Sequence, residues 1–449
     1  MNKLGLRSNY KVPLSAGSSG PSFFQNAADN AIVHGTNYSN WLIDALGTTV
    51  NASGIHLRNN GTSEYARISI SGLAASTDYW LKLTIASKGA TAGNLRLQIS
   101  GTDGSNIASV NEVALNYDFP TAVPFTKYVR FRTDATPGPH LMPFRNAASV
   151  DNTDASLLNI TEVVVYPIPS RSAAKIALLG DRESGFVQVN ADAVDVALLS
   201  AAADTVNLVS PGDLSDGLPT YANSVDVTPN FLKTTIVGRG GNIYPAAGNW
   251  DYSGGIAAWE TYFGITAGQS NRYRKVTLGQ CDFFFYDSNA ANTDNNQVSV
   301  AGAKAATMGQ WLLTQIAAST AKWKIVVIHH PMYSSSTHHG GPSTLGGWDA
   351  AFKSMQWDWR ALGVPLVINS HDHVNEAMLV NNALHLCYAM GGGTANAFGT
   401  LIPESIYAEN PSTSGFVKFH DSATELVIEI FNTAVPIPQM LWRYKITRS

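Results

Sequence analysis

The chain has 449 residues with 29 basic and 33 acidic side chains, a net charge of −4, and charged residues make up 14% of it, well below the roughly 25% of an ordinary soluble domain. An apolar share of 45% excludes a disordered polyelectrolyte, and the lack of any Lys/Arg run excludes nucleic-acid wrapping as the main task. Two cysteines, Cys281 and Cys387, exclude a disulfide framework and a CxxC zinc site.

No run of 18 apolar residues and no secretory signal is recognisable, so a soluble chain without a membrane span is expected. Low charge with abundant Ser, Thr and Asn suits a surface or virion component as well as an enzyme. At roughly 100 to 200 residues per domain, the length predicts two or more domains.

Residues 1–25 read as a loose arm, because a Gly/Ser-rich composition offers little to bury. Up to residue 170 the pattern is short alternating segments, Tyr65–Ile70, Tyr79–Ile85, Leu95–Ile99, Tyr128–Arg132 and Ile160–Tyr166. Turn signals separate them: Ser71-Gly72, Gly93-Asn94, Asp103-Gly104 and Pro137-Gly138. This text predicts an all-β sandwich over residues 1–170. Leu141–Tyr166 resembles the last strands of jelly-roll carbohydrate-binding modules, which implies a carbohydrate ligand or an adhesion role. Trp41, Tyr79 and Trp80 could form a sugar platform, but strand alternation puts Tyr79 and Trp80 on opposite faces and favours a core role.

From residue 171 to 449 apolar strands alternate with helical windows, the signature of a layered α/β or α+β domain. Strand Lys175–Leu179 runs into Gly180-Asp181, Thr205–Val209 into Gly212-Asp213, and Ile243–Ala247 into Gly248-Asn249. Strand Trp323–Ile328 runs into His329-His330, and Val364–Ile368 is followed closely by His371-Asp372-His373. Helices are expected over Met308–Ser319 and Trp348–Leu362.

Five strands thus deliver polar groups at their carboxyl ends, where ligands of layered α/β domains sit. Asp181, Asp213, Asn249, His329, His371 and His373 form a mixed oxygen and nitrogen set suited to Fe, Mn or Zn rather than to a calcium or magnesium cage. Six ligands exceed one tetrahedral site. Two metals sharing a carboxylate, about 3.5 to 4 Å apart, would use them, and such pairs recur in phosphoester hydrolysis.

In this order the strand-end motifs resemble the calcineurin-like metallophosphoesterases, most closely their purple acid phosphatase branch. Tyr286-Asp287-Ser288, Gln310-Trp311-Leu312, His330-Pro331-Met332-Tyr333 and Gly391-Gly392-Gly393 agree with it. The resemblance implies a catalytic domain of two mixed sheets between helical layers (α/β/β/α) and a hydrolase acting on a small-molecule phosphomonoester. It implies two metal ions: Asp181 and His373 on the first, Asn249, His329 and His371 on the second, and Asp213 bridging. His338 and His339, nine and ten positions after His329, take the places of substrate-contacting histidines.

Three departures matter. The place of the branch's metal-bound Tyr holds Asp216, and the place where other relatives carry a His holds Glu183, so Asp216 or Glu183 is implied as the remaining ligand of the first metal. Either could instead pair with Arg182. The imidazole that usually follows the motif's Asn is Trp250, whose indole cannot transfer a proton; Trp250 fills that place or stacks on an aromatic leaving group. Ser370 stands where the family has Gly. His330 is expected in the substrate pocket, supporting its neighbour rather than ligating. Two other readings stay open: a phosphodiesterase or nucleotidase of the same fold, and a surface or viral binding protein with a weakened phosphatase site.

Overall fold

The computed structural model describes residues 172–182, 188–201, 204–214, 232–253, 255–296, 299–338, 353–409, 414–433, 438 and 440–448, with strands and their adjoining residues over the first 168 positions. The chain divides into two units. One is Ala28–Pro169, and the other combines Met1–Ala27 with Ser170–Ser449.

Strand β1 (Phe23–Gln25) falls in the second unit. The first unit holds β2 (Ile32–Val33), β3 (Trp41–Ile43), β4 (Thr49–Asn51), β5 (Gly54–His56), β6 (Tyr65–Ile70), β7 (Asp78–Lys88), β8 (Leu95–Leu97), β9 (Leu115–Tyr117), β10 (Phe125–Arg132), β11 (His140–Asn146) and β12 (Leu157–Pro167). Among the described residues these form two antiparallel sheets, β10-β7-β12-β5-β4 with β2 against β12, and β3-β6-β11-β8-β9. Tyr79 and Trp80 are only 5% and 8% exposed. Tyr79 stacks on Phe131 at 5.6 Å, and its hydroxyl accepts from the Ala74 N–H at 2.7 Å. Both aromatics are therefore core on their respective faces; the side chain of Trp41, the third residue of the expected sugar platform, lies outside those described.

The second unit contains two seven-stranded mixed sheets among the described residues. Strands β13 (Ile176–Leu178), β14 (Asn207–Ser210) and β15 (Asn242–Pro245) run parallel at one end of the first. Its second sheet has β16 (Arg274–Leu278), β17 (Cys281–Tyr286), β18 (Trp323–Ile328), β19 (Leu366–Asn369), β20 (Asn375–Val380), β21 (Ala383–Tyr388) and β22 (Ser405–Glu409). Strands β23 (Gly415–Asp421), β24 (Glu425–Asn432) and β25 (Met440–Arg448) complete the first sheet, ordered β1-β25-β24-β23-β13-β14-β15.

Alternation explains the layering. Cys281, Phe283, Phe285, Trp323, Ile325 and Val327 share one core with Ile176, Leu178, Val417, Phe419 and Ile428 of the first sheet. The intervening Phe284, Tyr286, Val326 and Ile328 pack instead with Met308, Leu312 and Ile316 of helix Thr307–Ala318. Those three residues recur every four positions and so lie on one helical face. Because both faces of β17 and β18 are covered, their sequences are nearly unbroken apolar runs. Asn381 and Asn382, at φ 47° and 60°, make the two-residue turn between β20 and β21, the left-handed pair that matches strand twist.

Two expectations need correction. Phe23–Gln25 is not part of a loose arm: it pairs antiparallel with β25, Phe23 opposite Arg448 and Gln25 opposite Ile446. An edge strand needs only one partner, so a short segment in poor local sequence suffices. The described part of the expected helix Trp348–Leu362 is mostly turns rather than helix. Met355, Trp357 and Trp359 are all buried and the two indoles stack at 5.1 Å. Burial at every second residue cannot lie on one helix face. Strands Tyr65–Ile70 and Trp323–Ile328 keep their expected bounds, and the other strand bounds shift by one to three residues.

Candidate metal centre

The parallel strands of both sheets end at one edge, and the polar residues follow directly. Asp181 comes after β13, Asp213 after β14, Asn249 after β15, His329 after β18, and His371 after β19. The backbone there is strained: Asp181, Asp213, His371 and His373 have φ of 44°, 49°, 69° and 45°. They are half of the eight non-glycine residues with positive φ among those described. Left-handed backbone at such residues costs of order 1 to 3 kcal/mol each and collects at functional sites.

Two glycines are required by close approach. A Cβ at Gly212, itself at φ 120°, would lie 2.7 Å from His329 Nδ1, and one at Gly248 would overlap the Asp213 carboxylate.

His329 is the hub. Its Nε2 lies 2.9 Å from Asn249 Oδ1, 3.1 Å from His371 Nδ1 and 3.1 Å from Asp213 Oδ2. One ring nitrogen offers either one proton or one lone pair and cannot serve three partners at once. Donor atoms roughly 3 Å apart are what near-right angles about metal bonds of about 2.1 Å produce. On the other side of the ring, Nδ1 lies 3.1 Å from Pro211 O and 3.0 Å from Ser370 Oγ. Such back-side bonds fix the tautomer that leaves Nε2 as a ligand. The donor set therefore fits a bound transition-metal cation.

Without a cation, burial works against a charged His329. The Asp213 carboxylate beside it, with Asp181 and Asp251 further off, overrides that and raises the pKa to about 9.

Asp181 is fully buried, and its Oδ2 accepts from the His371 N–H at 2.6 Å. Asp181, Asp213 and His329, and likewise His329, His330 and His371, present ligand-capable atoms within 4.8 Å of one another. His373 directs Nδ1 to Thr394 O at 2.7 Å. The ring of His338 lies 5.7 Å from that of His371 and 5.9 Å from that of His373, with its side chain 40% exposed.

His330 packs 4.4 Å from the His371 ring, and its Nδ1 meets Ser288 Oγ at 2.7 Å; it braces the cluster, and Ser288 gives the Tyr286-Asp287-Ser288 motif a role. Trp250 donates its backbone N–H to Asp213 Oδ1 at 2.9 Å. Glu183, Asp216 and His339 lie outside the described residues. Arg182, weighed as a partner of the first two, pairs with Asp195 at 2.6 Å.

Sequence reasoning missed two supports. Asp251, fully buried, accepts from Gly248 N–H at 2.8 Å and Asp213 N–H at 3.2 Å; its place three residues after Gly248, in the first turn of helix Asn249–Ser253, is the spacing at which a side chain reaches back to the N–H that precedes a helix. Ser370 departs from the family's Gly, yet its hydroxyl bonds His329.

Residues 187–375 match the family model described as calcineurin-like phosphoesterase. No curated protein matches the sequence. Among solved structures, GAP50, the anchor in the inner membrane complex of Plasmodium, is similar at 16% identity over 61% of this chain and 89% of that one, with a TM-score of 0.46. The purple acid phosphatase PPD1 of yellow lupin (Lupinus luteus) seeds aligns at 14% identity over 87% and 80%, TM-score 0.45. PhoD aligns at 10% identity over 92% and 90%, TM-score 0.39.

Proposed function

We propose that the chain, whose residues 187–375 match the calcineurin-like phosphoesterase model, is a metal-dependent phosphoester hydrolase that cleaves phosphomonoesters at a centre of two metal ions. Asp181 and His373 would hold the first ion, with Asp216 or Glu183 completing it. Asn249, His329 and His371 would hold the second, and Asp213 would serve both. The observation that carries this reading is the convergence of Asp213 Oδ2, Asn249 Oδ1 and His371 Nδ1 on His329 Nε2. Fe, Mn or Zn suits such a set.

When bound, a metal pair supplies Lewis acidity and lowers the pKa of water so that hydrolysis proceeds near neutral pH. The chain's own residues do the rest. Ser370 and Pro211 O orient His329 from behind, Thr394 O orients His373, and the Trp250 N–H and Asp251 fix the Asp213 segment. His338, and His339 by its place in the sequence, would stabilise charge that develops on the phosphate oxygens and stand in as proton donors to the leaving alcohol. Trp250 cannot take that part, so esters with good leaving groups are the favoured substrates. Residues 28–169 form, in this proposal, a β-sandwich accessory module for a carbohydrate surface, a reading supported by its two antiparallel sheets.

The test is metal analysis after reconstitution, with turnover of p-nitrophenyl phosphate and of bis(p-nitrophenyl) phosphate. Two equivalents of transition metal and faster monoester cleavage, abolished by a chelator, are expected. A chain that retains no metal overturns the proposal, and faster diester cleavage moves it to a phosphodiesterase.

A further inference from the structure

Glu376 lies on β20, three residues beyond His373, and is completely buried. An ionised carboxylate is tolerated there only if its lone pairs are met. One residue of a different segment meets both oxygens: Ser335 gives its backbone N–H to Oε2 at 2.8 Å and its hydroxyl to Oε1 at 2.6 Å. The hydroxyl's direction is fixed, because Ser335 Oγ already accepts the Ile402 N–H at 3.0 Å. Two bonds to one residue set its rotation as well as its position.

The segment after Ser335 leads to the centre. The Ser336 hydroxyl donates to Asp372 O at 3.2 Å and accepts the His338 N–H at 3.2 Å. The Thr337 N–H goes to Ala397 O at 2.8 Å. His338 itself is partly exposed, 3.9 Å from the Asp372 carboxylate, so its placement over His371 and His373 depends on the backbone that carries it.

We infer that Glu376 is a positioning residue: through Ser335 it holds the 334–338 segment so that His338 faces the metal centre. It touches neither substrate nor metal ligand, and the inference rests on the phosphatase reading for the role of His338.

A mutant cycle in the reconstituted full chain tests it, with p-nitrophenyl phosphate as probe. Glu376→Gln keeps the shape but accepts only one of Ser335's two hydrogens. It should lower kcat about 10-fold, with a smaller change in KM and unchanged metal content, since displacement of a contacting group by about 1 Å can cost up to about 10²-fold. His338→Ala should lower kcat about 10²-fold. The double variant should equal His338→Ala within about 2-fold, because a residue acting only through His338 has nothing further to lose. Losses that multiply, an unchanged kcat in Glu376→Gln, or loss of metal overturns the inference.

Ser335→Ala reads the same clamp from the other side if Glu376→Gln does not fold. Should the unaltered chain bind metal yet cleave no ester, the phosphatase reading fails. Amide exchange then decides for the clamp: Glu376→Gln should speed exchange at 335–338 about 10-fold and leave 326–329 unchanged, and equal rates overturn it.

Discussion

Gly248→Ala perturbs the centre through a single methyl group. A Cβ there would lie 2.6 Å from Asp213 Cγ and 2.9 Å from Asp213 N, and closer still to Oδ1, whereas ordinary contact begins at 3.4 Å. The carboxyl carbon must retreat by about 0.8 Å to relieve the overlap with it alone. Asp213 has little room to do so, since it is buried, its Oδ1 accepts the Trp250 N–H, and its own N–H is held by Asp251. Overpacking of this kind costs about 1 to 3 kcal/mol of stability, and a shift near 1 Å in a reacting array costs up to about 10²-fold in rate. The expected result is a folded protein with metal content reduced on dialysis and kcat on p-nitrophenyl phosphate down by about 10²-fold. Gly238→Ala is the control: nothing lies within 4 Å of that added Cβ, at the end of helix Leu232–Gly238, so stability should stay level or rise by up to about 1 kcal/mol. Elemental analysis and melting of both variants are the assays. Equal metal content and turnover in the two proteins would refute the placement of Asp213 at the heart of the site.

Three further outcomes follow from the same geometry. Trp250→His places an imidazole on the residue whose backbone N–H bonds Asp213 and should raise turnover of alkyl phosphates, which need a proton donor, by about 10 to 10²-fold while changing p-nitrophenyl phosphate less; no selective gain removes the claim that Trp250 occupies the place of a general acid. His385 is buried edge-on to Tyr333 at 4.8 Å, and burial lowers its pKa from 6.5 to about 3. The stability of keeping it neutral is complete above pH 6.5 and is lost as pH falls towards 3, roughly 3 kcal/mol of it by pH 4. Urea melts of His385→Leu should lack that part of the acid limb, and identical limbs contradict the assignment. His329 behaves oppositely in the metal-free chain: its folded pKa is raised to about 9, so the stability from its proton is present below pH 6.5 and is lost as pH rises through 9. Metal must displace that proton, so affinity should climb between pH 6.5 and 9 with release of about one proton per chain; calorimetry in two buffers of different ionisation enthalpy measures it, and a pH-independent affinity refutes it.

The convergence of the candidate residues was largely legible in the chain because each sits within a few positions of the end of an apolar run. The strand sets the direction, the following Gly, Asn or His turns it, and chemistry is read from adjacent letters, as at Gly212-Asp213 and Ile328-His329. The supports were not legible where their partners are remote. Glu376 and Ser335 are 41 positions apart, and neither has a local pattern that names the other. β1 pairs with β25 across nearly the whole chain, and three residues carry too little periodicity to reveal it. The stretch containing Trp357 and Trp359 misled for a physical reason: its apolar residues suit a helix in composition, but the core receives them at every second position, which only an open path supplies.

The β1–β25 pairing also bears on how the 28–169 unit is attached. The polypeptide leaves the two-sheet unit after β1 and re-enters it near residue 170, so residues 28–169 are an insertion in the chain of that unit rather than an extension of its end. Two breaks in the chain, not one, would be needed to cut residues 28–169 out of it.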